Sequence, residues 1–379
     1  KTNWKVWCIK QKVIVALLTF FAATYLLSNQ FKADISKFKD DASERIKHYK
    51  PIFSENITDP WKKSLYRQLD RVQQKCGAVC RINDAQTYEK LGKAKPGSRY
   101  LTFQVPIDCH SLFLMDEIDA GDPSVPFPIP DELEKYYSLN GKIKVETGKR
   151  HVRVYMGSEA YTSTWEADDI ERDLTLLRQG DKLNGTYRQE ETTTVLEAMN
   201  KHLSLEHKSV LVVGSERPWL ETIALFLGAS KVTTLEYGAI QSNHPQLTTI
   251  TPDLFRNKYL QGELEKFDII LSHSSVEHSG LGRYGDALNP WGDILSVARC
   301  WCVAKDEARM MLGVPTGPDK VAFNAHRIYG NVRYPLLTMN WISDDGTIDY
   351  EIPPPDKLAH SLFKTVSIGQ YPRFFRKVG

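Results

Sequence analysis

From residue 209 onward the chain is a succession of short apolar runs separated by stretches with helical character. "SVLVVG" (209–214), "KVTTLEYG" (231–238), "QLTTI" (246–250), "KFDIILSHS" (266–274) and "ARMMLGVPTG" (308–317) each read as a strand, and the first is a short, continuous apolar run ending in Gly214. Runs of this kind suit strands buried on both faces, as in a parallel sheet. The intervening "PWLETIALFLGA", "PDLFRNKYL" and "WGDILSVARCWCVA" read as helices, the first with Pro at its start and Gly near its end. Strand, helix, strand, helix at this spacing predicts an α/β fold with a doubly wound, Rossmann-like sheet. Ligands of such sheets bind in the crevice outside the carboxyl ends of the strands.

The residues before 206 are organised differently. "KTNWKVWCIKQK" (1–12) is rich in lysine, and "VIVALLTFFAATYLLSN" (13–29) carries no charge. At 1.5 Å per residue the second stretch reaches roughly 25 Å, enough for a thin bilayer. It is expected to be an uncleaved signal anchor with its lysines in the cytosol. A cleaved signal peptide and a buried helix are the rivals. Residues 30–59 are charged and sparse in apolar positions, which predicts a stem. Residues 60–205 form a mixed α/β accessory region, with helices expected over "WKKSLYRQLDRVQQKC", "TSTWEADDIERDLTLLRQG" and "TTTVLEAMNKHL" and a strand over "KRHVRVYMG". Residues 206–379 form the predicted catalytic domain.

Such an anchor would place the body in the secretory lumen, and two further features agree. Asn56 and Asn184 begin glycosylation sequons. Of six cysteines, five follow the anchor, and a disulfide involving Cys76, Cys80 or Cys109 is expected in an oxidising lumen. The formal net charge is only +2, and the basic residues are scattered, so no nucleic-acid partner is expected.

The dinucleotide fingerprint G-x-G-x-x-G and the phosphate loop G-x-x-x-x-G-K-[ST] are both absent. What remains is a strand ending at Gly214 and a second ending at Glu236, whose carboxylate is suited to the two ribose hydroxyls of an adenosine. The fourth run opens into "SSVEHSGLGRYGDALNPWGD" (274–293), which gathers His278, Glu277, Asp286, Arg283, Tyr284, Trp291 and Asp293 at the crevice. His278 is the candidate general base, because an alcohol nucleophile sheds its proton as a new bond forms. His273 is a competitor, and His326 a third. Glu277 and Asp286 are placed with the catalytic group. Arg283, Tyr284, Trp291, Asp293 and Arg327 are expected to bind substrate, and Trp219 is a further rim aromatic or a core residue. Asp286 and Asp293 also suggest a divalent metal, which is not favoured because a hard ion wants more oxygen ligands. Asp253 either contacts adenine or caps the helix that follows it.

"SVLVVGSERPW", "KVTTLEYG", "FDIILSHSSVEHSG" and "ARMMLGVPTG" resemble class I S-adenosylmethionine methyltransferases. Within these the chain looks closest to a nematode-rich family of Golgi membrane proteins whose members have been linked to O-methylation of fucose. The resemblance spans about residues 185–375. It implies S-adenosylmethionine as cofactor, held by Gly214, Ser215, Glu216, Glu236, Tyr237, Asp253 and Ser274. It further implies a single-pass Golgi membrane enzyme with a lumenal catalytic domain and a fucosylated N-glycan as acceptor. One departure stands out. Where the methyltransferase first loop carries an acid and three glycines, this chain has Val212, Gly214, Glu216 and Pro218. Glu216 is expected to offset the missing glycines by pairing with a cationic part of the cofactor. A Golgi glycosyltransferase and a non-catalytic Rossmann-type binding protein are the competing classes. The first usually carries an Asp-x-Asp triplet, and no such triplet is present.

Overall fold

The computed structural model describes residues 57–80, 105–119, 128–148, 163–330, 332–343 and 372–377. The tail, the anchor, nearly all of the stem, Asn56 and the strand expected over 149–157 lie outside these residues. Among the described residues no helix is long and apolar enough to cross a membrane.

Besides a single helical turn at Tyr334–Leu337, the α-helices are α1 (Pro60–Cys76), α2 (Cys109–Phe113), α3 (Asp131–Tyr137), α4 (Ala167–Arg178), α5 (Gln189–His202), α6 (Trp219–Phe226), α7 (Pro252–Gln261) and α8 (Gly292–Val303). Their ends follow local chemistry. Asp59 caps α1 by accepting from the Trp61 and Lys62 amides, and Pro60 supplies a fixed φ at the first position. Gly262 closes α7 in the left-handed conformation, φ 73°.

Besides the two-residue strands Thr164–Trp165 and Gln241–Ser242, which pair parallel with each other, the strands are β1 (Lys144–Thr147), β2 (Ser209–Val213), β3 (Lys231–Leu235), β4 (Leu247–Ile250), β5 (Phe267–His273), β6 (Ala304–Gly313), β7 (Lys320–Phe323), β8 (His326–Ile328), β9 (Trp341–Ser343) and β10 (Pro372–Lys377). Seven form one sheet in the order β9-β10-β6-β5-β2-β3-β4. The five expected strands pair parallel as the doubly wound sheet requires. The chain reverses strand order at β2, which lies between β3 and β5, and this is the topological switch point. β10 inserts antiparallel beside β6, and β9 pairs antiparallel with β10. The insertion buries Phe375 completely, and Phe374 stacks on His202 of α5 with ring centroids 4.7 Å apart.

The core does not stop at residue 205. Ile170, Leu174 and Leu177 of α4 and Val195 and Met199 of α5 share one apolar cluster with Val210 and Val212 of β2 and Leu220 and Ile223 of α6. Residues Thr58–Gly379 form one compact unit. The accessory region is therefore partly a face of the sheet, a role its own sequence does not announce. Asn184, between α4 and α5, is exposed, as a glycosylation acceptor must be.

Two disulfides are present. Cys76–Cys80 closes the end of α1, and Cys109–Cys302 joins α2 to α8 with Cα atoms 5.6 Å apart. Cys300 is a buried thiol.

β7, β8 and β1 make a small second sheet, with β1 parallel and β8 antiparallel to β7. It packs where two arginines, Arg327 and Arg333, are buried completely. Asp293 answers both. Arg333 donates Nε to Oδ2 at 2.8 Å and a terminal nitrogen to Oδ1 at 2.6 Å, Tyr329 adds its hydroxyl at 2.9 Å, and Arg327 Nε lies 3.7 Å from Oδ2. Burial alone would raise the Asp293 pKa, but the two guanidinium groups outweigh it and hold the carboxyl below its ordinary range. Asp293→Asn would leave two buried cations without a counter-charge. The expected cost is about 3–5 kcal/mol of unfolding free energy. Urea denaturation measures it, and a loss under ~1 kcal/mol would show that the cluster is not what holds this region.

Candidate functional site

The carboxyl ends of β2, β3 and β5 converge at the switch point. Gly214 donates its amide to the Leu235 carbonyl, and Glu236 donates its amide to Ile250. The first loop, 214–218, lacks the glycines that would let it hug a ligand, and side chains hold it instead. The Ser215 amide donates to Glu236 Oε2 at 2.9 Å, and the Ser215 hydroxyl lies 2.6 Å from the Arg217 carbonyl and 3.1 Å from Glu221 Oε2. Thr234 donates to Glu221 Oε1 at 2.7 Å. Ser215 has one hydroxyl proton and two neighbouring acceptors. The arrangement is fully satisfied only if Glu221 carries a proton and donates it to Ser215. Complete burial works in the same direction, pushing the Glu221 pKa up to about 7. Glu221 and Ser215 are thus the supports of this loop. Sequence reasoning missed Glu221 because it reads as an ordinary acid in a first helical turn.

Gly214 needs its freedom for the protein's own packing. Its φ is 74°, and a Cβ there would lie 1.7 Å from the Ser275 hydroxyl. Glu236 is half-buried, accepts the Tyr237 amide at 2.7 Å as well as that of Ser215, and keeps further lone pairs for a ligand. Desolvation raises its pKa. Glu216 is exposed, and its charge reaches both Glu236 and Tyr284. The Tyr237 ring is 38% exposed beside it. Asp253 sits in the first turn of α7, where it accepts the Thr251 hydroxyl, and Thr251 rather than Asp253 is the N-cap.

After β5 the chain turns through Ser274, φ 53°, into a short 3₁₀ turn, Val276–His278. The Ser274 hydroxyl donates to Glu277 Oε1 at 2.8 Å. Glu277 is fully buried, its Oε2 has no partner, and burial pushes its pKa up to about 7. His278 lies beside it with Nε2 3.5 Å from Glu277 Oε1. Its other nitrogen, Nδ1, is 2.7 Å from the Ala325 carbonyl. A contact that short requires a proton on Nδ1, which leaves Nε2 as an unprotonated acceptor. Arg283 donates to the same carbonyl at 3.1 Å. Burial, and then the charge of Arg283, push the His278 pKa down to about 3. The imidazole is therefore neutral at any physiological pH. Tyr284 meets its ring edge-on at 5.3 Å, and His326 flanks it at 6.4 Å.

Five sequence-derived assignments need correction. Asp286 is not a catalytic acid, because it clasps its own loop, accepting the amides of Gly280 (2.6 Å), Gly282 (3.2 Å) and Tyr284 (3.1 Å). Asp293 is consumed by Arg333, and Arg327 by the carbonyls of Ser279 and Glu277. Trp291 is 2% exposed and packs edge-on against Tyr136, so it offers no face to a sugar. His273 points into the core between Tyr187 and Trp219, with ring centroids 5.5 and 5.7 Å away. Four of these groups are polar, and sequence cannot distinguish an acid that faces a ligand from one that faces backbone amides. Among the described residues no three His, Cys, Asp or Glu side chains gather to hold a metal ion.

The groups left at the carboxyl ends of the strands are the exposed Glu216 and Tyr237, the half-buried Glu236, Arg283 and Tyr284, and the buried Glu277 and His278. Carboxylates and hydroxyls dominate, a donor set suited to ribose hydroxyls and to a positively charged ligand. Glu221 makes the loop beneath them pH-sensitive. Its folded pKa lies above its unfolded value of 4.5, so the folded state keeps a proton that the unfolded chain has lost. Stability should fall as pH rises from about 4.5 to 7 and level off above. Glu221→Gln, measured by urea denaturation at pH 5 and pH 7.5, should flatten that slope by up to about 1.4 kcal/mol per pH unit. An unchanged slope would mean that Glu221 is ionised throughout.

Among solved structures the chain is similar to a candidate hemolysin from Lactococcus lactis, at 16% identity over 33% of this chain and 57% of that one, TM-score 0.26. It is similar to a candidate ribosomal RNA methyltransferase from Plasmodium falciparum, at 16% identity over 34% of this chain and 78% of that one, TM-score 0.25. It is also similar to a candidate SAM-dependent methyltransferase from Streptococcus mutans, at 13% identity over 31% and 33%, TM-score 0.23. The chain spans about half the length of the Lactococcus hemolysin and of a second one from Streptococcus thermophilus, 57% and 46%. The likeness to methyltransferases is weak, and the site has to be read from its own geometry. No curated protein matches the chain. Residues 207–347, which include both crevice loops, match the family described as Caenorhabditis protein of unknown function, DUF268.

Proposed function

We propose that the chain is a methyltransferase that uses S-adenosylmethionine to methylate a sugar hydroxyl of a glycan, with fucose on an N-glycan as acceptor. It would work in the Golgi lumen behind an N-terminal membrane anchor. The observation that carries the donor assignment is Glu236. It stands at the carboxyl end of the second parallel strand, half-buried, its carboxylate oriented by two backbone amides and still open to further donors. That is the chemistry a ribose diol needs. The acceptor and compartment rest on the sequence resemblance around "SSVEHSGLGRYGD".

Bound there, S-adenosylmethionine would supply an activated methyl group and a positive charge. The chain's own residues do the rest. Glu236 accepts the ribose hydroxyls, and Tyr237 flanks them. Glu216 and Glu277 make the crevice favourable to a cation. His278 receives the acceptor's proton on Nε2, since the Ala325 carbonyl fixes the tautomer. A base this weak takes the proton late in the displacement. Tyr284, half-buried at the crevice edge, is the remaining side chain for sugar contact.

The test uses the full-length chain in detergent. Calorimetry with S-adenosylhomocysteine should show binding, weakened at least tenfold in Glu236→Ala. Incubation with S-adenosylmethionine and paired fucosylated and defucosylated N-glycans should add one CH₂ to the fucosylated set alone. His278→Gln should lower that transfer roughly 10²–10⁴-fold while leaving S-adenosylhomocysteine affinity in place. Absence of binding would remove the donor assignment. Transfer to defucosylated glycans would remove the acceptor.

A further inference from the structure

Two buried atoms near the proton acceptor lack partners, one on a carboxyl group and one on a guanidinium. Glu277 Oε2 accepts nothing, although Glu277 is completely buried. Arg283 Nε is closed off from water and donates to nothing. Arg283 places one terminal nitrogen 3.1 Å from the Ala325 carbonyl, to which it donates, and 3.2 Å from His278 Nδ1, and no carboxylate comes within ion-pair distance of it among the described residues. Its ring-stacking neighbour is Tyr284, 5.2 Å from the guanidinium carbon. The two charges feel each other electrostatically but do not touch. An unsatisfied buried donor or acceptor costs free energy comparable to a lost hydrogen bond, more when charged. One ligand group satisfies both at once: a zwitterion, with an ammonium for the carboxylate and a carboxylate for the guanidinium fork.

We propose that Glu277 and Arg283 together form the receptor for the α-amino-acid end of the methyl donor, taking over the task that the first loop gave up with its glycines. The inference rests on the donor assignment above. The first loop supports this division of labour. Ser215 is committed to Arg217, Glu221 and Glu236, and Gly214 is covered by Ser275, so neither has a group to spare for an amino acid. The charged and titratable neighbours of the pair are His278, Tyr284 and His326, together with Tyr187 and Tyr329, which feel the Glu277 charge, and Arg327, which acts on His278; Lys320 lies beyond and is paired to Glu146 at 3.1 Å. A carboxylate on Arg283 would also relieve the pressure that this cation exerts on His278. Donor binding would then make His278 a better base.

The experiment compares S-adenosylhomocysteine with 5′-methylthioadenosine, which lacks the amino-acid end, by calorimetry on the full chain. The wild type should prefer the former at least tenfold. Arg283→Lys keeps the charge and a donor for Ala325 but loses the fork, and Glu277→Gln keeps the Ser274 bond but loses the charge. Each should abolish most of that preference without weakening 5′-methylthioadenosine. ¹⁵N NMR of the imidazole rings should show the His278 pKa rising with S-adenosylhomocysteine and not with 5′-methylthioadenosine. Equal wild-type affinity for the two compounds, or a preference untouched by both variants, overturns this inference and leaves the adenosine site standing. Binding of neither compound removes the donor assignment and this inference with it.

Discussion

A single carboxylate, Asp293, neutralises two arginines that have no exposure at all. Such a pair cannot be left to solvent, because a buried guanidinium without a counter-charge costs several kcal/mol. The arrangement fixes more than itself. Arg333 binds the Pro290 carbonyl as well as Asp293, and Arg327 reaches the carbonyls of Glu277, Ser279 and Asn289. The loop between β5 and α8 is therefore pinned at both ends by cations belonging to β8 and the segment after it. Asp286 fastens its middle. The rigid position of Glu277 and His278 is a consequence, since the Ala325 carbonyl that fixes the histidine tautomer lies between the two strands that this cluster supports.

The first loop reaches rigidity by a different route. A glycine-rich turn gains close approach at the cost of backbone freedom. Here Ser215, Glu221, Thr234 and Glu236 form a hydrogen-bonded group whose proton count closes only with a protonated carboxyl. Such networks hold firmly when complete and poorly when one proton is missing. The loop is consequently stiff.

Much of the sheet was legible in the sequence because its central strands, β2, β5 and the second half of β6, are buried on both faces and so read as apolar runs. The five parallel strands and the helices between them fall where those runs and their Pro and Gly signals place them. β10 was not legible. Its "PRFFRK" has charges at both ends, and its partner β6 is far away in sequence, so only tertiary pairing reveals it. The site was legible in location more than in role. Glu236 and His278 are at the crevice because strand ends are there. Asp286, Asp293, Arg327 and Trp291 stood in the same stretch and proved to be its scaffold. Their types suit either task, and the deciding facts are their partners, which range from Tyr136 to Arg333 and which the residue types alone do not reveal. The unpartnered oxygen of Glu277 is likewise invisible until every other donor has been assigned.

The disulfide between α2 and α8 carries a consequence for how the chain matures. Cys300 and Cys302 are two positions apart on α8, so about 200° of helix rotation separates their side chains. Once the helix exists, only Cys302 can meet Cys109, while Cys300 turns into the interior and its thiol is pushed up to about 12, far from reactive thiolate. Before the helix exists, the two sulfurs are nearly equivalent partners. Secondary structure thus acts as the proofreader of covalent structure here, and oxidation that outruns the winding of α8 would lock the wrong sulfur to α2.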